Sequence, residues 1–158
     1  MLPPLPHGDG NCKSQLCAAD VGGRGDTTMT IPTARLAFFK LNVPDADEAR
    51  AFWEDAFGFA VTQTYDEDSF VEHIMALPGQ AGAGPSLMLV ESKPARDVSV
   101  GPGHGPVGLV CNDIAASHAH ALASGATSLM DPLDVGGVIV SMLKSPQGHE
   151  IELVQPLR

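Results

Sequence analysis

The sequence predicts an α+β protein in which two tandem βαβββ units form a curved mixed sheet around a cleft. The first observation behind this prediction is a repeat: the order of strand, capped helix, glycine and three strands occurs in residues 34–92 and again in residues 104–156. The second observation is that each unit has a single helix. A unit with one helix covers only one face of its sheet, so the other face has to be buried against a partner unit. Pairing the two sheets would leave a cleft between them.

The composition is that of a globular domain and argues against two classes of partner. The chain has 158 residues, of which 44% are hydrophobic, enough for one domain with a sizeable core. Its formal net charge of −10 argues against a basic surface that could bind the phosphate backbone of a nucleic acid, so no nucleic acid is expected as a partner. No apolar run approaches bilayer length, and the 3 cysteines are too few for a disulfide framework. We therefore expect a cytoplasmic protein that binds no membrane.

The N-terminal part differs from the rest of the chain. Residues 1–28 are rich in Pro, Gly, Asp and Ser and show no apolar period of helix or strand type. We expect a disordered leader over residues 1–33, followed by one domain over residues 34–158. Because Met29 stands just before the folded pattern, it stays open whether residues 1–28 belong to the working protein.

The first unit opens with a strand and a capped helix. Residues 35–43 have the aromatic and β-branched content of a strand, which Pro44 ends. Asp45 is a suitable N-cap, and apolar residues then recur at helical spacing until Gly58, which ends the helix. Three further strands are predicted at residues 59–65, 70–77 and 86–91.

The second unit repeats this plan after a linker rich in glycine and proline, residues 93–104. A strand is predicted over residues 105–112, after which Asp113 caps a helix that stops at Gly125. Three short strands follow at residues 126–130, 137–144 and 150–154, and a turn over residues 145–148 joins the last two.

Several stretches carry a family resemblance: Asn42-Val-Pro-Asp45, Ala51-Phe-Trp53, Ala56-Phe-Gly-Phe59, Ser124-Gly-Ala126 and Ser145-Pro-Gln-Gly-His-Glu-Ile-Glu-Leu153. The sequence resembles the vicinal oxygen chelate (VOC) superfamily, which includes glyoxalase I, bleomycin-resistance proteins and extradiol dioxygenases. The resemblance covers residues 34–155 and implies a glyoxalase/bleomycin-resistance-like fold and a homodimer. It does not imply one activity, because the superfamily is functionally mixed.

The resemblance also implies a metal site with one ligand on the first and last strand of each unit. These positions hold Phe38, Met88, Pro106 and Glu152. Only Glu152 has an oxygen donor suited to the divalent ions of such sites, so we expect no standard metal centre and no other cofactor. A divalent metal would need a shifted register, with His73, His104 and Glu152 as ligands.

Three polar side chains are candidates for catalysis. Glu152 alternates with Ile151 and Leu153, so it is expected to face the cleft as a general base or ligand anchor, the alternative being a polar residue satisfied by a neighbour. Lys40 is a candidate to bind a carboxylate or pair with Glu152, the alternative being a strand-edge lysine in solvent. His73 is a candidate acid or base if it, rather than its neighbour Glu72, points inward.

The apolar residues at the former ligand positions are candidates for substrate contact. Phe38, Met88 and Pro106 are expected to line the cleft and would suit a hydrophobic or aromatic ligand. Two other histidines are not expected to take part in the chemistry. His118 lies on the apolar stripe of its helix and is expected to pack there, and His149 lies in a turn, where an exposed side chain is expected.

Two principal functions stay open. The first is an enzyme that acts on a small organic molecule by metal-independent proton transfer or lyase/isomerase chemistry through Glu152, helped by His73 or Lys40. The second is a non-catalytic protein that sequesters a drug or metabolite, as the bleomycin-resistance members of the resembled superfamily do. The loss of metal ligands favours binding, and the retained Glu152 favours catalysis. A third possibility is a scaffold for protein association.

Overall fold

The computed structural model describes residues 36–101 and 103–157, which fold as two βαβββ units. The first unit consists of β1 (Phe38–Asn42), α1 (Ala46–Phe57), β2 (Ala60–Asp66), β3 (Phe70–Ala76) and β4 (Ser86–Ser92). The second consists of β5 (Val107–Val110), α2 (Ile114–Ala123), β6 (Thr127–Asp134), β7 (Val138–Lys144) and β8 (Glu150–Pro156). The predicted order of elements is confirmed. The predicted leader over residues 1–33 lies outside the described residues.

Each unit forms its own four-stranded mixed sheet. The strand order is β1-β4-β3-β2 in the first sheet and β5-β8-β7-β6 in the second. In both sheets the first strand runs parallel to the last, and the other neighbours are antiparallel. The α+β class is therefore confirmed.

Both helices begin at the predicted caps. Asp45 Oδ1 accepts a hydrogen bond of 2.8 Å from the backbone N–H of Glu48, and Asp113 Oδ1 accepts one of 3.0 Å from Ala116. Gly58 ends α1 in the left-handed region, with φ of 72°, which glycine adopts without strain. Among the described residues, no helix has the length and apolar character needed to cross a membrane.

A second contact at each helix start ties the helix to the last strand of its own unit. Glu91 Oε2 accepts a hydrogen bond of 2.9 Å from the backbone N–H of Ala46, and Gln155 Oε1 accepts one of 2.7 Å from Ile114. The first N–H groups of a helix have no partner inside the helix, so these side chains satisfy donors that would otherwise lack one. The same device therefore positions both helices on their sheets.

One hydrophobic core joins the two units through their helices. α1 packs on β3 and β4, α2 packs on β6, β7 and β8, and α1 contacts α2. Trp53 and Leu89 from the first unit and Leu143 and Ile151 from the second are each 0% exposed within this core. The sheet faces that point away from the helices lie outside it.

Strand β6 is longer than predicted. The prediction ended at Met130, but the strand continues to Asp134. β6 is the edge strand of its sheet, and its pairing with β7 is irregular between Met130 and Leu133. Proline has no N–H to donate to the ladder, and it is tolerated at edge strands and bulges because the ladder does not need that donor there.

Replacing either aspartate cap should destabilise the fold. Asp45→Ala and Asp113→Ala each remove the acceptor for a first-turn N–H group, so each should lower the free energy of unfolding by about 1 kcal/mol. Urea denaturation measures this directly. Asp55→Ala, in the last turn of α1, is the matched control and should cause no loss, because a carboxylate there faces the negative end of the helix dipole. Equal losses in Asp45→Ala and the control would contradict the capping role.

Candidate functional site

The face of the first sheet that points away from α1 carries charged, aromatic and apolar side chains that a ligand could contact. Lys40 of β1 pairs with Met88 of β4, and Met88 pairs with Ile74 of β3, so the three side chains share one face. Their neighbours Leu87 and Leu89 point the other way and are buried in the core. We name this surface the first open face; its main residues are Phe38, Lys40, Asn42, Tyr65, Glu72, Ile74, Met88 and Val90.

A charged pair lies on the first open face. Lys40 Nζ is 2.9 Å from Glu72 Oε2, and the two side chains are 42% and 10% exposed. Lys40 Nζ also lies 5.7 Å from the centre of the Phe38 ring, within cation–π distance. The sequence left open whether Glu72 or His73 points inward. Glu72 does, and its nearly buried carboxylate has Lys40 as its counter-charge.

His73 lies on the opposite face of β3, beneath α1. It pairs in register with the buried Leu89 and is 6% exposed. Its Nδ1 is 3.0 Å from Thr64 Oγ1, and its Nε2 is 3.3 Å from Asp47 Oδ1 in the first turn of α1. The expectation that His73 shares a cleft with Lys40 is therefore corrected. Because strand side chains alternate between faces, placing Glu72 on the open face puts His73 on the helix side.

Glu152 lies on the face of the second sheet that points away from α2. It pairs with Gly108 of β5 and Met142 of β7, while Ile151 and Leu153 are buried in the core. A Cβ atom added at Gly108 would meet no atom within 4 Å, so there is free space beside the carboxylate. We name this surface the second open face; its main residues are Gly108, Val110, Met130, Leu133, Val140, Met142, Glu152 and Val154.

The positions that the resemblance assigns to metal ligands do not fit a divalent ion. Phe38 lies across from Ser86, and Pro106 directly precedes β5. A phenyl ring, a proline ring and the thioether of Met88 offer no hard donor, which leaves Glu152 as the single suitable ligand of the four. In residues 36–101 and 103–157, no three His, Cys, Asp or Glu side chains are grouped as metal ligands.

The alternative ligand set is distributed over three separate places. His73 lies on the helix side of β3, and Glu152 lies on the second open face. His104 lies in the linker between β4 and β5, where it lines a cavity together with His149. The shifted-register metal site therefore has no structural counterpart among the described residues.

That cavity, of about 280 Å³, lies where β1, the linker and the turn before β8 meet. Arg96 of the linker lines it and donates a hydrogen bond of 3.3 Å to Asn42 Oδ1. His149 also lines it and is 8% exposed, so the expectation of an exposed side chain is wrong. The turn had looked solvated from the sequence because the linker and β1, which meet it at the cavity, are distant along the chain.

The burial of His149 has an electrostatic consequence. Burial lowers the pKa of the imidazole below its ordinary value of 6.5, because the charged form loses solvation, and the nearby His104 acts in the same direction. A hydrogen bond with the backbone of Asn42 raises the pKa and opposes these two effects. The balance favours the neutral ring.

The remaining histidine expectation is confirmed. His118 of α2 is 5% exposed. Its Nε2 lies 3.5 Å from Oδ1 of Asp131 in β6. This placement on the helix stripe makes it part of the packing between α2 and its sheet.

Removing Lys40 should destabilise the folded protein, because a nearly buried Glu72 charge is unfavourable without its counter-charge. Lys40→Met leaves a nearly buried carboxylate without its counter-charge, so the free energy of unfolding at neutral pH should fall by about 1–3 kcal/mol in urea denaturation. The double variant Lys40→Met/Glu72→Gln should recover most of this loss. Lys93→Met, whose partner Asp66 is 71% exposed, is the control and should lose under about 1 kcal/mol. A double variant as unstable as the single one would disprove the compensation.

Stability should depend on pH through His149. Because its folded-state pKa is lowered, the unfolded chain binds the proton more readily, so the free energy of unfolding should fall as pH drops through 6.5 and level off below the folded-state pKa. Urea denaturation at a series of pH values measures this slope. His149→Gln should flatten it, whereas His120→Gln, on the exposed side of α2, should keep it. An unchanged slope in His149→Gln would assign the pH dependence to other groups.

Several solved structures with the glyoxalase fold superpose on this chain. Glyoxalase I from Zea mays superposes with a TM-score of 0.69 at 16% identity, covering 78% of this chain and 47% of that one, so this chain spans about half of the maize protein. A glyoxalase family protein from Bacillus cereus gives a TM-score of 0.71 at 14% identity, covering 84% and 100%. TnmS3, an antibiotic binding protein from Streptomyces sp. CB03234, gives 0.61 at 22% identity, covering 81% and 100%. At these identities the likenesses show the fold alone.

The sequence comparison identifies the family. No curated protein matches the chain. Residues 35–153 match the family profile described as Glyoxalase/Bleomycin resistance protein/Dioxygenase superfamily, which spans both βαβββ units. The chain belongs to the Glyoxalase/Bleomycin resistance protein/Dioxygenase superfamily.

Proposed function

We propose that this protein binds a small apolar or aromatic organic molecule, without a metal, between the first open face of one copy and the second open face of another. The observation that carries the proposal is the exposure of large apolar side chains on both faces: Phe38 is 45% exposed, Tyr65 40%, Val110 76% and Leu133 52%. Extended apolar surface of this kind marks binding sites in soluble proteins.

A second copy is the occupant that best covers these faces. The two units of one chain meet through α1 and α2, so both open faces lie outside the shared core. A ligand on a single open sheet would stay half solvated, whereas small-molecule sites bury about 70–90% of their ligand. In a twofold dimer each first open face meets a second open face, which closes two equivalent sites.

The chemistry of the faces supports an apolar ligand with one donor group. Met88, Met130 and Met142 offer flexible, polarisable side chains that adapt to irregular ligands. Phe38 adds an aromatic ring for stacking. Glu152, with free space beside it at Gly108, can accept a hydrogen bond from a ligand hydroxyl or amine. The similarity in fold to TnmS3, named as an antibiotic binding protein, fits this role.

Catalysis is the second candidate, favoured by the position of Glu152. A carboxylate on an apolar surface is a suitable general base for proton transfer or for lyase or isomerase chemistry. Two features of the chain place this candidate second. Lys40 is already paired with Glu72, and His73 lies on the helix side of its sheet, away from the open face that would meet Glu152.

The proposal includes a cytoplasmic location. It is supported by the small number of cysteines in the sequence and by the free thiol of Cys111, since disulfides are typical of oxidising compartments.

The pairing and the ligand are tested together. We expect the full chain to sediment as a dimer and to bind the apolar dye Nile red, read out by fluorescence. Val110→Asp places a charge on the most exposed residue of the second open face, so it should abolish both dimer and dye binding while leaving the circular dichroism spectrum unchanged. Leu122→Asp, on α2 and outside both faces, is the matched control and should retain both. A wild-type monomer would contradict the pairing, and a dimer without dye binding would contradict the ligand site.

The same assay separates the two candidate functions. Once a bound compound is found, Glu152→Gln should retain the fold and weaken binding of compounds that carry a hydroxyl or amine. If the wild type converts the compound and Glu152→Gln binds it without conversion, the enzyme becomes the first candidate. Binding with no conversion by the wild type supports the binding protein.

A further inference from the structure

The cavity between β1, the linker and the turn before β8 collects basic side chains in an acidic protein. Arg96, His104, His149 and Lys40 line it, and Asp97 is the acidic residue of its lining. The chain as a whole carries a formal net charge of −10. Lys40 is already paired with Glu72, but this grouping of basic side chains at a concave surface of an acidic protein makes an anion the ligand to consider.

His149 supplies a buried polar atom that lacks a partner. The residue is 8% exposed, and its Nδ1 has no hydrogen-bond partner within the described part of the chain. Buried polar side-chain atoms in native proteins are nearly always hydrogen-bonded. The ring lines the cavity, so a group bound there is the candidate for the missing partner.

Arg96 supplies a charged group at the same cavity. Its Nη2 donates to Asn42 Oδ1 at 3.3 Å, and no carboxylate lies within salt-bridge distance of it among residues 36–101 and 103–157. Arginine has further N–H donors in a planar fork that matches the oxygens of a carboxylate or phosphate.

We propose that this cavity binds a small oxyanion, a carboxylate or a phosphoryl group, between Arg96 and His149. Its volume of about 280 Å³ lies near the lower end of small-molecule sites, about 300–1,000 Å³, which fits a compact anion. The cavity shares Lys40 and Asn42 with the first open face, but its proposed anion contacts, Arg96 and His149, lie in the linker and in a turn, so the site does not rest on the function proposed above.

Binding at this site is coupled to a proton. A neutral ring presents a lone pair at Nδ1 when its other nitrogen carries the hydrogen, and that lone pair repels an oxyanion, whereas the protonated ring donates an N–H there. The cavity is lined by Lys40 from β1 and by Arg96, Asp97 and His104 from the linker. The adjoining hollow adds Lys144 at the end of β7 and Glu150 at the start of β8. Burial and His104 keep the free ring neutral, so binding of the anion is accompanied by the uptake of a proton from solvent at His149.

Sulfate is the first probe, because it stays doubly charged across the relevant pH range and so any pH dependence comes from the protein. We expect sulfate added to the full chain to move the ring signals of His149 in NMR spectra, with affinity about tenfold higher near pH 5.5 than near pH 7.5. Acetate and methyl phosphate, tested in the same way, decide between a planar and a tetrahedral anion.

Two substitutions and one control complete the test. Arg96→Gln should weaken sulfate binding by about tenfold, whereas Arg50→Gln removes the same charge from α1, where the arginine already pairs with Asp47 and Glu54, and should leave binding unchanged. His149→Gln should remove the pH dependence. The proposal is overturned if the His149 ring signals do not shift when sulfate is added, or if the two arginine substitutions weaken sulfate binding equally. It is also overturned if sulfate binding by His149→Gln still depends on pH.

Discussion

Helix-to-helix packing is the constraint on which the rest of the structure depends. Each unit has one helix for two sheet faces, so each can cover only one face of its own sheet. The chain joins the units through α1 and α2, with Trp53, Ala49 and Ala121 all 0% exposed in the shared core. This choice stabilises a single domain, and it also leaves both open faces outside the core.

The two units keep the same backbone device while their open faces differ. Glu91 and Gln155 hold their helices in the same way, although one carries a charge and the other does not. At the paired positions on the open faces, Lys40 and Met88 in the first unit correspond to Gly108 and Glu152 in the second. The scaffold interactions constrain the fold, whereas the open faces lie outside these interactions and carry different side chains.

The fold was predictable from the sequence because its signals are local. Asp45, Gly58 and Asp113 act through contacts within a few residues, and all three have the predicted roles. The site was less predictable because it depends on strand parity and on long-range contacts. Glu72 and His73 are neighbours in an apolar strand, and only the register with β4 decides which one points to the open face. His149 is buried by residues more than forty positions away in the sequence, near Asn42 and Arg96.

Charge distribution gives the two proposed sites opposite preferences. On the first open face Lys40 is neutralised by Glu72, so a Glu152 carboxylate brought against that face by a second copy would meet little net positive charge. Glu152 would then keep its acceptor capacity for a ligand donor, and an anionic ligand would be repelled. In the cavity between β1, the linker and the turn before β8 the preference is reversed, because Arg96 has no carboxylate partner in the described part of the chain and the proposed anion would bind together with a proton on His149. The two proposed sites therefore depend on different charged groups, Glu152 for a neutral or donor-bearing molecule and Arg96 with His149 for an oxyanion.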